Sequence, residues 1–403
     1  MKHLKTSLVA VIAVLFSTLT WAAVIPISAP PILPIANPTA PNVDAKGYIV
    51  MDAITGKVIA EKNPDVRMAP ASLTKLMSLY IISAALKNGN IHLEDKVRIS
   101  NKAWQTGGSR MFIKVGDEVP AKDLLQGIIV ASGNDATVAL AEYIAGTEDV
   151  FTGLMNAQAK ALGMNNSHFT DSTGLPNPAH YSTPRDLATL ARALTQNFPE
   201  DYRLFSEKWF TYHGIRQPNR NRLLWRYQYA DGLKTGHTDD AGYCLVASAV
   251  KNGMRLISVI MGAPSDQART EDSIRLLTYG FRFFETRKLY DGGTALTQAH
   301  AWKGTNKQIA LGLNEDLYAT LLVSQYKNLQ ANLELKEPIV APLTKGQVCG
   351  TLNLVVNNQV VLSKPLIALA DDPKGGFWGN ITDAMSTSFH KIFSKNTEQA
   401  NNG

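Results

Sequence analysis

Apolar residues recur at spacings of three and four through Leu73, Leu76, Met77, Tyr80, Ile81 and Ala84, a pattern that predicts a helix ending near Gly89. The same periodicity marks Ala121 to Ala145, Thr183 to Leu194 and Thr270 to Phe284. Other segments are apolar and β-rich. Tyr48 to Met51 and Lys57 to Ala60 flank the turn Ala53-Ile54-Thr55-Gly56, and Tyr243 to Val250 and Met254 to Met261 flank Asn252-Gly253, so each pair reads as a hairpin. Strands near both ends of this region, with helices between, predict an α+β domain over residues 44–286 whose antiparallel sheet is closed by segments distant in sequence.

The pattern then changes. Leu317 to Val323, Ala331 to Leu335 and Leu352 to Val356 read as strands separated by turn residues, which predicts a small β-rich domain over residues 287–372. In the last segment Trp378, Ile381, Met385, Phe389 and Ile392 stand three or four apart, with Phe377 and Phe393 beside the stripe. An amphipathic helix over residues 373–395 follows, suited either to a bilayer interface or to packing on its own domain.

At the other end Lys2 and Lys5 precede an apolar run from Leu8 to Phe16 and a cleavage site at Thr20-Trp21-Ala22. Residues 1–22 read as a cleavable signal peptide, because the run is shorter than the roughly 18 residues of a spanning helix. Residues 23–43 carry no charge and contain Pro26, Pro30, Pro31, Pro34, Pro38 and Pro41, so they read as an extended linker.

Composition excludes several classes. With 403 residues, 45% hydrophobic and 18% charged, the chain is neither disordered nor collagenous. The net charge of +6 is spread without a basic run, so no nucleic-acid partner is expected. The two cysteines, Cys244 and Cys349, build neither a disulfide framework nor a thiol zinc site, and the histidines form no HExxH pair. No metal or cofactor is expected.

A serine three positions before a lysine places a nucleophile and a base on one helix face. Four such pairs occur: Ser72/Lys75, Ser248/Lys251, Ser324/Lys327 and Ser388/Lys391. Ser248 lies in a strand, where that offset sends side chains to opposite faces. Ser324 falls at a strand end, and Ser388 on the terminal amphipathic helix. Only Ser72 opens a long apolar helix, where free N–H groups and the dipole favour a developing oxyanion. Lys75 serves as a base only if burial and a nearby cation lower its pKa. Taken alone, an N-cap serine followed by a solvated lysine is the simpler reading.

Two further segments change that. Ser132-Gly133-Asn134 breaks two apolar runs and presents a hydroxyl and an amide from a tight loop. Lys234-Thr235-Gly236 lies in a strand-like stretch that begins at Asp231, where Lys234 and Thr235 suit a carboxylate and Gly236 lets a substrate backbone approach the strand edge. The order serine-x-x-lysine, serine-x-asparagine, lysine-threonine-glycine is the set found in penicillin-binding proteins and class A β-lactamases.

On these motifs, with Pro70 to Met77, Gly108-Ser109-Arg110-Met111, Asn219-Arg220-Asn221, Leu233 to Thr238 and Tyr279 to Phe284, the chain resembles the low-molecular-mass penicillin-binding proteins of the D-alanyl-D-alanine carboxypeptidase type. The resemblance implies a penicillin-binding-protein-like catalytic domain, a small all-β domain and a terminal helix docked on the inner membrane of the periplasm. It implies that Ser72 attacks the bond between two D-alanines of a peptidoglycan stem peptide, with Lys75 as base and Ser132, helped by Lys234, as proton relay. The N–H groups of Ser72 and His237 would hold the oxyanion, Thr235 with Arg220 or Arg269 the terminal carboxylate, and Asn134 the peptide amide. β-Lactams would acylate Ser72 as mimics of that terminus.

Glycine at position 133, where class A β-lactamases usually carry aspartate, resembles the carboxypeptidase group. Between Met164 and Arg185 there is no glutamate to drive deacylation; Asp171 and Asp186 are the nearest acids. Rapid β-lactam hydrolysis is therefore disfavoured. A catalytically idle peptidoglycan-binding scaffold is the reading from another class, opposed by the presence of both motif serines and both motif lysines. Cys244 is expected to be a buried free thiol.

Overall fold

The structure is a computed structural model, and it describes residues 38–376. The signal-peptide expectation, most of the linker and the amphipathic stripe from Phe377 onward lie outside the described residues.

Five antiparallel strands form the central sheet: β1 (Gly47–Asp52), β2 (Val58–Lys62), β3 (Ala230–Thr238), β4 (Gly242–Lys251) and β5 (Met254–Ala263). Their order is β2-β1-β5-β4-β3, so the first hairpin joins the second through β1 and β5, with Tyr48 opposite Ile260. Both expected hairpins are present, and the sheet is closed by segments distant in sequence. β3 is left as an edge strand.

Side chains alternate across a strand, and the sheet uses both faces. Ile49, Met51, Cys244, Val246, Ile257 and Val259 join Leu76, Met77, Phe151 and Leu187 in one core. Val50, Leu245, Ala247, Leu256 and Ile260 join Leu276 and Leu277 in the other. Each fully buried Leu, Ile or Val contributes about 1.5–3 kcal/mol, so this two-sided burial is the main force holding the layers.

The helices that carry these residues are α1 (Lys75–Lys87), α2 (Asn134–Ala145), α3 (Glu148–Ala161), α4 (Pro184–Asn197) and α5 (Asp266–Phe283). Thr147, Thr183 and Ser265 cap α3, α4 and α5 by accepting from the N–H three residues on. The periodic stretch from Ala121 is interrupted as the Ser-Gly-Asn motif demands. A helix over Ala121–Gln126 widens into a π turn, Gly127–Ala131, stops at Ser132 and restarts at Asn134.

After α5 the chain becomes all-β. Phe284–Tyr290 pairs with Leu317–Leu322, and a six-stranded sheet includes Leu329–Leu335 and Val348–Val356, where strands were expected. Asp52, fully buried at the end of β1, meets this region: its Oδ2 accepts from Thr286 Oγ1 at 2.8 Å, and Thr55 and Thr320 hydroxyls lie 2.7 Å apart. Among the described residues no helix is long and apolar enough to cross a membrane.

Candidate active site

Ser72 does not open α1 directly, as the sequence led us to expect. It sits in a preceding 3₁₀ turn, Ala71–Thr74, and α1 begins at Lys75. Three residues per turn bring positions i and i+3 into line, which serves the pair better than an α turn. Lys75 Nζ donates to Ser72 Oγ at 2.9 Å and to Thr173 O at 2.8 Å. Lys75 is fully buried and, among the described residues, has no carboxylate ion pair. Burial pulls its pKa from 10.5 to about 7; Asp171 opposes the fall, Arg220 adds to it and Asp135 opposes it. A neutral amine beside the hydroxyl is thus available near neutral pH.

Ser132 ends the π turn in the left-handed region, at φ 59° and ψ 35°. For a serine that conformation costs on the order of 1 kcal/mol and aims the side chain out of the helical path. Lys234 Nζ donates to Ser132 Oγ at 2.9 Å. Burial, followed by the charges of Lys75, Arg220 and Arg269, holds the Lys234 pKa well below the usual lysine range. Each motif serine therefore receives a hydrogen bond from its own buried lysine. Asn134 Nδ2 donates to Gly107 O at 2.6 Å, while its buried Oδ1 has no partner among the described residues.

Thr235 is buried on β3, whereas His237 is exposed and stacks on Tyr243 with ring centroids 4.1 Å apart. Gly236 has a second reason to lack a side chain, besides the room it leaves at the strand edge. A Cβ there would stand 2.8 Å from Pro70 O and 3.2 Å from Ser72 N, so the absent side chain makes room for the serine turn itself. Arg220 Nε donates to Ala131 O at 3.2 Å, and its remaining donors have no partner among the described residues.

Arg269, the alternative to Arg220 as a carboxylate holder, has its guanidinium engaged within the protein. It is 6% exposed, and its guanidinium donates to Gly236 O at 2.8 Å, to Cys244 O at 3.1 Å and to Asp266 Oδ1. Those bonds occupy the fork in buttressing β3. The accidental serine–lysine pairs are disposed of in the same way. Ser248 accepts from Arg255 at 2.7 Å within β4, Ser324 lies in the 3₁₀ turn Val323–Asn328, and Ser388 is outside the described residues. Cys244 is fully buried and free, with burial raising its thiol pKa to about 11.

Sequence reasoning missed the supports. Asp135 accepts from the N–H groups of Met111 and Phe112 at 3.0 and 2.9 Å, fixing the Gly108 to Met111 segment beside Asn134. Asp171 and Asp186, noted only as the nearest acids, are both engaged. Asp186 Oδ2 accepts from Asn166 N and Ser167 Oγ. Asp171 closes the turn that presents Thr173 O to Lys75. The run Asp-Ser-Thr-Gly at 171–174 is an Asx-turn sequence and was the available signal.

With two serine–lysine pairs meeting at the edge of an antiparallel sheet, the fold and site are those of a serine acyl-transfer enzyme of the penicillin-binding class. The family described as D-alanyl-D-alanine carboxypeptidase matches residues 35–265, and the penicillin-binding protein 5 C-terminal domain matches residues 284–374. The chain is 47% identical over 363 residues to D-alanyl-D-alanine carboxypeptidase DacC of Escherichia coli, covering 88% of this chain and 90% of that one. It is 40% identical to DacA of Haemophilus influenzae, covering 88% and 92% of the two chains. The crystal structure of penicillin binding protein 5 from Haemophilus influenzae superposes with a TM-score of 0.82 at 40% identity, over 84% of this chain and all of that one. The chain belongs to the D-alanyl-D-alanine carboxypeptidase family, serine-type penicillin-binding enzymes of the penicillin-binding protein 5 and 6 type.

Proposed function

We propose that this protein removes the terminal D-alanine from peptidoglycan pentapeptide stems through an acyl-enzyme on Ser72. The observation that carries the assignment is the 2.9 Å hydrogen bond from a fully buried Lys75 to Ser72 Oγ. Neutral Lys75 takes the hydroxyl proton as Oγ attacks the carbonyl of the penultimate D-alanine. The oxyanion falls between the N–H groups of Ser72 and His237. As the tetrahedral intermediate collapses, Ser132 gives its proton to the departing amine and takes up the one Lys75 had received from Ser72, which leaves Lys75 neutral again, while Lys234 holds that hydroxyl in place. Thr235, Lys234 and Arg220 receive the terminal carboxylate, with the open donors of Arg220 supporting its choice over Arg269. The orphan Oδ1 of Asn134 is the acceptor that a substrate N–H completes. Neutral Lys75 then takes a proton from a water that attacks the ester carbonyl, and gives that proton to Ser72 Oγ as the ester bond breaks.

A β-lactam presents the same carbonyl and carboxylate and stops at the acyl-enzyme. Slow release is favoured because the nearest acids, Asp171 and Asp186, are committed to backbone and side-chain partners. We further propose that residues 1–22 export the chain, that residues 44–286 and 287–372 are its catalytic and β-rich domains, and that residues 373–395 hold it at the inner-membrane surface in the periplasm.

Protein lacking residues 1–22 should be labelled by a fluorescent penicillin, and Ser72→Ala should abolish the label. Undiminished labelling of that variant would refute the assignment. D-Alanine release from a D-Ala-D-Ala-terminated peptide well above β-lactam turnover separates a carboxypeptidase from a β-lactamase, and neither activity would leave a scaffold.

A further inference from the structure

Asp171 touches no reacting atom, yet it is joined to the Ser72–Lys75 pair by two routes. Its Oδ1 accepts from Thr173 N, Thr173 Oγ1 and Gly174 N, each at 2.7 Å, closing the turn whose Thr173 carbonyl receives Lys75 Nζ at 2.8 Å. Its Oδ2 lies 3.2 Å from His180 Nδ1, and His180 Nε2 lies 2.8 Å from the hydroxyl of Thr74, which stands between Ser72 and Lys75 in the chain. His180 Nδ1 also lies 3.3 Å from Thr170 N and 3.1 Å from Thr170 Oγ1, so Asp171 and Thr170 share one ring nitrogen while Thr74 meets the other. His180 and Thr74 are buried, and the ring of Phe169 meets His180 edge-on at 5.7 Å.

The two turns are in direct contact. Gly174 has φ 89°, and a Cβ there would overlap Ala71 O and approach Thr74 Oγ1. Closing a turn of this kind requires only an acceptor, which an asparagine supplies. The Asp171 side chain is 21% exposed and its ion-pair partner is His180, so the carboxylate is only partly withdrawn from solvent. Beyond His180, the group its charge faces is the Lys75 amine, which is bonded to the carbonyl of the turn that Asp171 closes.

We propose that Asp171 is the positioning residue of the Ser72–Lys75 pair: it sets the Thr173 carbonyl against the amine, ties that turn to the serine turn through His180 and Thr74, and turns a carboxylate charge toward the amine. The inference rests on the carboxypeptidase reading and adds a control on the same site. Although burial opposes ionisation, hydrogen bonds from His180 and Thr173 hold the Asp171 carboxyl well below the usual carboxylate range. The charges facing Lys75 are Asp171 from the 171–174 turn, Arg220 from the segment before β3, Asp135 from α2 and Lys234 from β3; Asp171 is the strongest attraction among them.

The test is the pH profile of acylation by a fluorescent penicillin. Asp171→Asn keeps an acceptor for the turn and removes the charge. Its acid limb should move to lower pH by about one unit, and its plateau should fall several-fold because a weaker base remains. Asp171→Ser should move the limb in the same direction with a larger loss of plateau. A limb that stays at the wild-type pH in a folded variant would overturn the proposal, and so would failure of both variants to fold, since the carboxylate would then be a requirement of the fold. Absence of labelling in the wild-type protein would instead overturn the carboxypeptidase reading.

Discussion

Gly236 and Ser72 touch across the cleft so closely that a methyl group on the glycine would come within 3.2 Å of the Ser72 nitrogen and 2.8 Å of Pro70 O. That nitrogen is one of the two proposed oxyanion donors. Gly236→Ala should therefore push the serine turn and β3 apart by a few tenths of an ångström. A small misplacement of reacting groups costs up to about 100-fold in rate, so acylation should fall by about ten- to a hundred-fold. The melting temperature should fall as well, because the atom displaced is the backbone oxygen of Pro70 and Gly236 is buried. Stopped-flow labelling with penicillin measures the rate, and an unchanged rate would show that the turn yields freely.

Lys75→Met should have opposite effects on activity and stability. The lysine pKa is about 7 in the folded protein against 10.5 for an ordinary lysine, so the unfolded chain holds more protons between those values. Stability of the wild-type protein is consequently lost as pH falls from 10.5 through about 7, at up to about 1.4 kcal/mol per unit. Methionine removes that dependence. The stability gap in favour of Lys75→Met should widen on acidification across this window and level off below it, while labelling is abolished. Urea melts at several pH values check the slope.

The two arginines should separate cleanly. Arg220→Ala removes a cation with open donors and should weaken turnover of carboxylate-bearing substrates by about ten-fold or more, with little change in melting. Arg269→Ala strips the carbonyls of Gly236 and Cys244 of a buried partner and should lower stability by about 1–3 kcal/mol. Equal effects on KM and equal effects on melting would contradict the assignment of the two roles.

Truncation from Gly375 onward should leave turnover of a soluble peptide intact and shift the protein from membrane to soluble fractions. Continued sedimentation with membranes would rule out the interface helix.

What was legible in the sequence follows from how local each signal is. The two hairpins announce themselves because apolar runs and an Asn-Gly turn are written in adjacent residues. The three motifs were legible as a set, since their order is retained even though the sheet edge, the π turn and the serine turn meet only in three dimensions. The 3₁₀ turn at Ala71–Thr74 was not legible, because three- and four-residue spacings coincide at the start of an apolar helix. Ser132 gave no sign of a left-handed backbone, which glycine or asparagine would have advertised. His180 and Asp135 were passed over because their partners lie elsewhere in the chain: Thr74 is 106 positions from His180, and Met111 is 24 from Asp135, whereas the Asp171 turn was written locally and only its contact with Lys75 was hidden. The sequence left Arg220 and Arg269 as alternatives for the same reason, since the carbonyl partners of Arg269 become neighbours only when β3 pairs with β4.

The central claim is that Lys75 is an uncharged amine at the pH where the enzyme works. Titrating the resolved side-chain carbon signal of Lys75 by NMR in the unacylated protein tests it most directly, with Lys75→Met identifying the resonance. A midpoint near 7 is expected. A side chain that stays cationic above pH 10 would leave Ser72 without its base and contradict the mechanism.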